Sequence, residues 1–295
     1  MNARQRTWGR RAVAAGAAAL ALGVTPTAIA SATPAPAHSS SSAAIAGSTA
    51  KHTGHAKPTI VLVHGAWADA SSFAPVTTRL QHDGYNVLNA PNPLRGLASD
   101  AASVAAFVDQ ATTGPVVLVG HSYGGAVITN SALQTPQVKA LVYIDAFAPD
   151  AGESAVDLAS AKPGSALAGP IESVFDAVQD PSSPQGDPDL YVKRALFAEA
   201  FAGRLPSTVG RALAASETPI AAGAVQEKSG QPAWKTLPSW FLIGTADQVI
   251  PAAEQQAMAT RAHGRVETVK AGHLSMLETP AAVTTIVERA AASVR

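Results

Sequence analysis

Three residues of this 295-residue chain have the types and spacing of nucleophilic catalysis: a serine between glycines, an aspartate and a histidine. Ser122 sits in Gly120-His121-Ser122-Tyr123-Gly124, directly after the apolar run Val116-Val117-Leu118-Val119. A sharp strand-to-helix turn at that point presents a serine hydroxyl at the carboxyl edge of a sheet, where the helix N-terminus favours developing negative charge. Glycine is needed on either side because a Cβ there would collide with neighbouring backbone. A serine hydroxyl needs a base to take its proton, and the base needs an acid to hold its tautomer. Asp247, in Gly244-Thr245-Ala246-Asp247, follows the strand-like residues 240–243; His273, in Ala271-Gly272-His273, follows residues 266–269. Serine, acid and histidine therefore come in the order expected of a sheet that presents all three on loops after its strands. The chemistry is acyl transfer.

The tetrahedral intermediate of that chemistry needs N–H donors. One is expected from Tyr123, the residue after the nucleophile. The other is expected from Ala66 in His64-Gly65-Ala66-Trp67, the loop after the first strand. His64 and His121 read as structural hydrogen-bonders, and His82 and His263 as surface residues. Asp145, after residues 140–144, is a rival for the acid; Asp150 and Asp157 lie too far along the chain to compete.

These residues need elements to position them. Residues 59–63, 85–88, 116–119, 140–144, 240–243 and 266–269 read as short buried strands. Helical patterns lie between them: Phe73, Val76 and Leu80 on one face with Gly84 closing, then Val104, Phe107 and Val108 behind Ser99 and Asp100 as caps. Residues 124–133 and 252–262 follow, and a last helix opens at Pro280. The alternation predicts an α/β fold with a doubly wound, mostly parallel sheet. It breaks once, at about 146–237, a stretch too long for a loop and expected to be a structured insertion before the last two strands. Helical pieces are expected there at 190–201 and 207–215, with Tyr191, Leu196, Phe197 and Phe201 at helical spacing as core packing.

The N-terminus has a different logic. Arg4, Arg6, Arg10 and Arg11 precede a short apolar stretch at 12–24 and small residues at 28–32. That order predicts a secretory signal peptide over 1–32, with Arg10-Arg11 suggesting the twin-arginine route. The stretch is too short for a membrane anchor. Residues 33–57, rich in Thr, Ser, Ala, Pro and Gly, read as a disordered linker, which leaves 58–295 as the folded domain. The 21 basic and 21 acidic residues balance. Losing the four arginines of residues 1–32 leaves a net charge of −4, which argues against a nucleic-acid partner. The chain has no cysteine, so disulfides, thiolate metal sites and a cysteine nucleophile are excluded.

Taken together, Val61-Leu62-Val63-His64-Gly65-Ala66-Trp67, the Gly120-to-Gly125 turn, Gly244-Thr245-Ala246-Asp247 and Gly272-His273-Leu274-Ser275-Met276-Leu277 resemble the α/β-hydrolase superfamily. The resemblance runs from about 58 to 295 and is most similar to the branch of small bacterial esterases, plant methyl-salicylate-type esterases and hydroxynitrile lyases. It implies a helical cap over the site and assigns roles to the same five residues, Ser122, Asp247, His273, Ala66 and Tyr123. The lyases of that branch carry Thr at the Gly65 position and Lys directly after the histidine, where this chain has Leu274; an apolar Leu cannot steady a leaving cyanide. An exported carboxylesterase is the expected activity, needing neither metal nor organic cofactor. A small-ligand-binding protein of the same fold and a cofactor-free haloperoxidase-like enzyme stay open as alternatives. Trp67, Phe147, Leu274 and Met276 flank the motifs and are expected as pocket walls. No Lys or Arg cluster adjoins a motif, so the expected substrate is a small, neutral, fairly apolar ester. Oligomeric state is not legible.

Overall fold

The computed structural model describes residues 57–184 and 186–294. The expected signal peptide and nearly all of the linker lie outside the described residues. The apolar runs become strands: β1 (Thr59–Val63), β2 (Val87–Asn89), β3 (Val116–His121) and β4 (Val138–Ile144). β1 and β3 are buried along their whole length. Such continuous apolar runs suit a parallel sheet covered on both faces.

Each strand is followed by a helix wherever the sequence shows a helical period. After β1 come a single 3-10 turn (Ala70–Phe73) and α1 (Ala74–His82), which ends ahead of Gly84 at φ +81°. After β2 comes α2 (Leu97–Ala111), and after β3 comes α3 (Tyr123–Ser131). Two boundaries differ from the sequence reading. The second strand starts at Val87 rather than residue 85. Ser99 and Asp100 lie inside α2, whose N-cap is Gly96. Asp100 nevertheless serves the helix start, because its carboxylate accepts from the N–H groups of Arg95 (3.1 Å) and Gly96 (3.4 Å).

After β4 the insertion forms a cap that is not wholly helical. The helix Ala155–Ala161 opens with a reciprocal Ser154–Asp157 capping box, and a short helix, Ile171–Val174, follows. β5 (Phe175–Val178), β6 (Asp189–Val192) and β7 (Ile220–Ala221) then build a three-stranded antiparallel sheet in the order β5-β6-β7. The helix expected over 190–201 therefore begins as a strand. Leu190 and Val192 are buried while Asp189 and Tyr191 are less so, a period of two too short to stand out in the sequence. Helix resumes at Arg194–Leu196, widens into a π-helix at Phe197–Phe201, and returns at Ser207–Ala215 and Ala222–Gln226.

The chain re-enters the sheet with β8 (Ser239–Gly244), the helix Ala252–Arg261, β9 (Arg265–Val269), a short helix Ser275–Glu278 and the final helix Pro280–Ser293. The six-stranded sheet is parallel throughout, in the order β2-β1-β3-β4-β8-β9. Right-handed crossovers send α1 to one face and α2 and α3 to the other, because the order runs left from β1 to β2 and right thereafter. The packing agrees: α1 lies on the final helix, and α2 lies on α3. Between β1 and β3 the loops leave toward opposite faces, which opens a crevice at the carboxyl edge. Among the described residues no helix is long and apolar enough to cross a membrane.

Candidate active site

Ser122 follows the last residue of β3 and caps α3 in that crevice, at φ 52° and ψ −125°. A non-glycine residue in this region is strained, and the surrounding backbone holds it there. Ser122 N–H donates to Ile144 O (3.3 Å), while its carbonyl accepts from Gly125 (3.0 Å) and Phe147 (3.2 Å). Two glycines make room for the turn. A Cβ on Gly124 would strike the Val63 carbonyl, and one on Gly65 would come within 2.6 Å of the Ser122 Cβ.

The three residues singled out from the sequence meet through side chains. Ser122 Oγ lies 3.0 Å from His273 Nε2, and His273 Nδ1 lies 2.9 Å from Asp247 Oδ2. Asp247 is further held by donors that the sequence did not announce: Val249 N–H (2.7 Å) and Ile250 N–H (3.0 Å) on Oδ1, and Gln255 Nε2 (2.8 Å) on Oδ2. Burial pushes the Asp247 carboxyl up, and these N–H groups offset only part of that rise. With two donors on each oxygen, counting His273, the ionised acid is the form that satisfies them all. His273 then carries its proton on Nδ1 and turns a lone pair toward the serine. Burial holds the His273 ring well below the usual imidazole range, which keeps it the neutral base that such chemistry needs.

Asp145, the rival acid, does not reach the histidine. It accepts from Gly244 N–H (2.7 Å) and Ser275 N–H (3.3 Å), so it ties the loop after β8 to the loop that carries His273. Burial first, and the nearby Asp247 second, push its carboxyl up. His121 and His64 are both bracing groups. His121 Nε2 donates to the His273 carbonyl (2.9 Å), and His64 Nδ1 donates to Gly65 O (2.9 Å), while Asn92 holds the His64 carbonyl (2.8 Å). Burial lowers both imidazoles. His82 and His263 are exposed.

The N–H groups of Ala66 and Tyr123 donate to no protein acceptor among the described residues, and both residues line the same cavity as Ser122. The Tyr123 hydroxyl donates to Asp100 Oδ2 (3.0 Å), a buried bond that the sequence reading missed. In the sequence Asp100 stands only as a helix cap, and nothing in its local spacing points to Tyr123.

The cavity has a volume of about 470 Å³. Trp67 and Phe147 form part of its wall, beside cap residues such as Leu167, Phe175, Leu190 and Val225. Among the described residues, no Lys, Arg, Asp or Glu lines it. Leu274 and Met276 are not among its walls, which corrects the sequence expectation. The chain turns at Leu274 into the helix Ser275–Glu278, which packs on the final helix and on the Ala70–Phe73 turn. That turn carries Met276 into the core and directs Leu274 to a separate void shared with Phe197 and Leu277.

Comparison with known proteins is consistent with this geometry. Residues 60–286 match the alpha/beta hydrolase family. A carbendazim-hydrolysing esterase of Nocardioides sp. is 34% identical over 110 residues, 33% of this chain and 46% of that esterase, so the match spans about half the length of that relative. An alpha/beta hydrolase of Aspergillus novofumigatus is 27% identical over 261 residues, covering 80% of this chain and 97% of its own. Among solved structures, an extracellular alpha/beta-hydrolase from a Paenibacillus species, described as sharing structural and functional homology with tobacco salicylic acid binding protein 2, superposes with a TM-score of 0.64. It is 24% identical and covers 79% of this chain and 98% of its own.

Proposed function

The chain belongs to the alpha/beta hydrolase family, and from that premise we propose that it is an exported serine hydrolase cleaving small, neutral, fairly apolar carboxylic esters. One observation carries the reading: the unbroken hydrogen-bond chain from Ser122 through His273 to Asp247, whose serine opens into an uncharged apolar cavity. Cavities of this size take small organic molecules, and the absence of charge in the lining disfavours carboxylate or phosphate substrates. The esterase named for the Nocardioides relative supports an ester bond as the target.

In the proposed reaction Ser122 Oγ bonds to the ester carbonyl carbon while its proton passes to His273 Nε2. The carbonyl electron pair moves onto oxygen, which accepts from Ala66 and Tyr123 N–H. As that pair returns, the bond to the alkoxy oxygen breaks, and the His273 proton goes to the departing alcohol. Water then attacks the acyl-serine by the same sequence and releases the acid. Asp247 keeps the imidazole in the right tautomer and stabilises its charged form. Export through residues 1–32, by the twin-arginine route, is part of the same proposal, as is the division into leader, linker and domain.

The test is hydrolysis of p-nitrophenyl esters from acetate to octanoate. A burst equal to the enzyme concentration, followed by steady turnover, is expected, with rates falling once the acyl chain outgrows the cavity. A ligand recovered unchanged that only raises thermal stability, with no burst on any ester, would replace this reading with a binding protein.

A further inference from the structure

One cap side chain touches both halves of the reacting geometry, and the inference drawn from it rests on the ester-hydrolase reading above. Phe201 ends the π-helix Phe197–Phe201 and is 2% exposed. Its ring stands edge-on to His273 (centroids 5.2 Å apart, planes at 89°) and edge-on to Trp67 (5.7 Å, 83°). On its other flank it is stacked on Phe197 at 4.9 Å. Phe201 does not line the cavity that holds Ser122, so it is not placed to meet substrate. The π-turn, closed by Ala202 N–H on Phe197 O (3.1 Å), is a costly local geometry of a kind often found at functional sites.

Both ring contacts matter to the chemistry. Trp67 follows the oxyanion donor Ala66 and is a bulky residue at φ 57°, a conformation that neighbours must enforce. The neighbours that do so come from the cap: Thr218 O accepts the Trp67 N–H (2.9 Å), Leu190 O accepts the indole N–H (2.8 Å), and Phe175 stacks on the ring at 5.4 Å. His273 is tethered at its two nitrogens, and its ring rests against His121 and Phe201. Three residues past Phe201, Arg204 Nε donates to Glu278 (3.0 Å), whose carboxylate accepts the Gly272 N–H next to the histidine (3.1 Å).

We propose that Phe201 is a positioning residue for the reaction, a cap side chain that holds the base His273 and the oxyanion-loop Trp67 in register with each other. A small misplacement of either group costs rate rather than binding, because attack and oxyanion capture must be aligned at once. The ring also excludes water from His273. The titratable groups around that imidazole are Asp247 on Nδ1, His121 beneath its carbonyl, Glu278 through the Gly272 peptide and Asp145 through the Ser275 N–H. None of these charges is carried by Phe201, so its replacement leaves their number unchanged. A smaller side chain then moves the acid limb of kcat/KM up, toward the ordinary imidazole value, by hydrating the charged form.

The experiment compares wild type with Phe201→Leu, Phe201→Ala and Phe197→Leu, with rates expressed per site titrated by the p-nitrophenyl butyrate burst. Misfolded protein then drops out of the comparison. Phe201→Ala is expected to lower kcat about tenfold or more with KM nearly unchanged, and Phe201→Leu less. Inhibition by butylboronic acid, which mimics the tetrahedral intermediate, should weaken by the same factor as kcat/KM, and the acid limb should rise. If neither Phe201 variant folds, Phe197→Leu loosens the ring without removing it, and the same changes should appear at smaller size. Wild-type kcat per titrated site, unchanged boronic-acid inhibition and an unmoved acid limb, with only a lower Tm, would make Phe201 packing alone and overturn the proposal. A wild type that shows no burst and no organophosphonate labelling of Ser122 would instead sink the ester-hydrolase reading, and this inference with it.

Discussion

The sheet and the cap are built by different means. In the sheet, β1, β3, β4 and β8 are almost wholly buried, each paired on both sides, and covered by helices above and below. The cap has short elements, a three-stranded antiparallel sheet whose outer strand β5 is largely exposed, and ion pairs at its surface. Arg95–Asp189, Lys228–Asp157, Lys235–Asp150 and Lys193–Asp176 are of this surface kind. Exposed pairs contribute roughly 0–1 kcal/mol each, whereas burial of a large apolar side chain contributes about 1.5–3 kcal/mol. The sheet can therefore hold a strained serine and two loops in fixed positions. The cap supplies apolar walls, and at Phe201, Arg204 and the acceptors of Trp67 it reaches down onto the machinery.

Substitutions in the sheet and in the cap should separate the two. The largest effect is expected from Ser122→Ala and His273→Ala, each lowering kcat by on the order of 10⁴- to 10⁶-fold without loss of fold, read by steady-state kinetics beside circular dichroism. Next comes the contrast between two buried acids on the sheet. Asp247→Asn should lower kcat about 10⁴-fold by spoiling the histidine tautomer. Asp145→Asn should instead leave kcat within about tenfold while lowering stability by roughly 1–3 kcal/mol, since one of its two N–H partners loses an acceptor. The opposite ranking would transfer the acid role to Asp145.

Acid weakens the fold through three buried histidines. His64, His121 and His273 are all held neutral by burial, with pKa values below the ordinary 6.5. Below that value the unfolded chain takes up protons that the native fold refuses, so stability falls as pH drops. The slope is about 1.4 kcal/mol per pH unit for each such group until its folded pKa is reached. Burial raises the Asp145 and Glu217 carboxyls, which works in the opposite direction. The histidine contribution is therefore read as the difference in Tm slope between wild type and His64→Gln over pH 7 to 5; equal slopes would contradict it. The smallest effect belongs to the cap. Ser154→Ala removes one half of the Ser154–Asp157 capping box and should cost about 1 kcal/mol, with kcat unchanged if the helix Ala155–Ala161 serves only as wall.

Most of the sheet was legible because buried parallel strands write themselves as apolar runs, and the elbow because Gly120, Gly124 and Gly125 leave no room for another residue type. Strand limits moved by a few residues, as at Val87, where hydrogen-bond register rather than side-chain type sets the start. The cap was poorly legible. Its strands are two to four residues long, and its Ala-rich segments are compatible with more than one period.

What the sequence alone determined is local: which stretches become strand or helix, which serine stands on a strained turn, and the order of serine, acid and histidine along the chain. The tertiary structure decided what depends on distance between residues far apart in number. It settled which aspartate lies against the imidazole, since Asp247 and Asp145 both follow strands and only the first comes within 2.9 Å of His273 Nδ1. It also decided which side chains wall the cavity. Leu274 and Met276 sit beside the histidine in sequence, yet one turn of chain points them elsewhere, while Phe175 and Leu190 arrive from the cap. Composition and periodicity report what a residue can bury; the direction in which it is buried follows only from the packing of the whole chain.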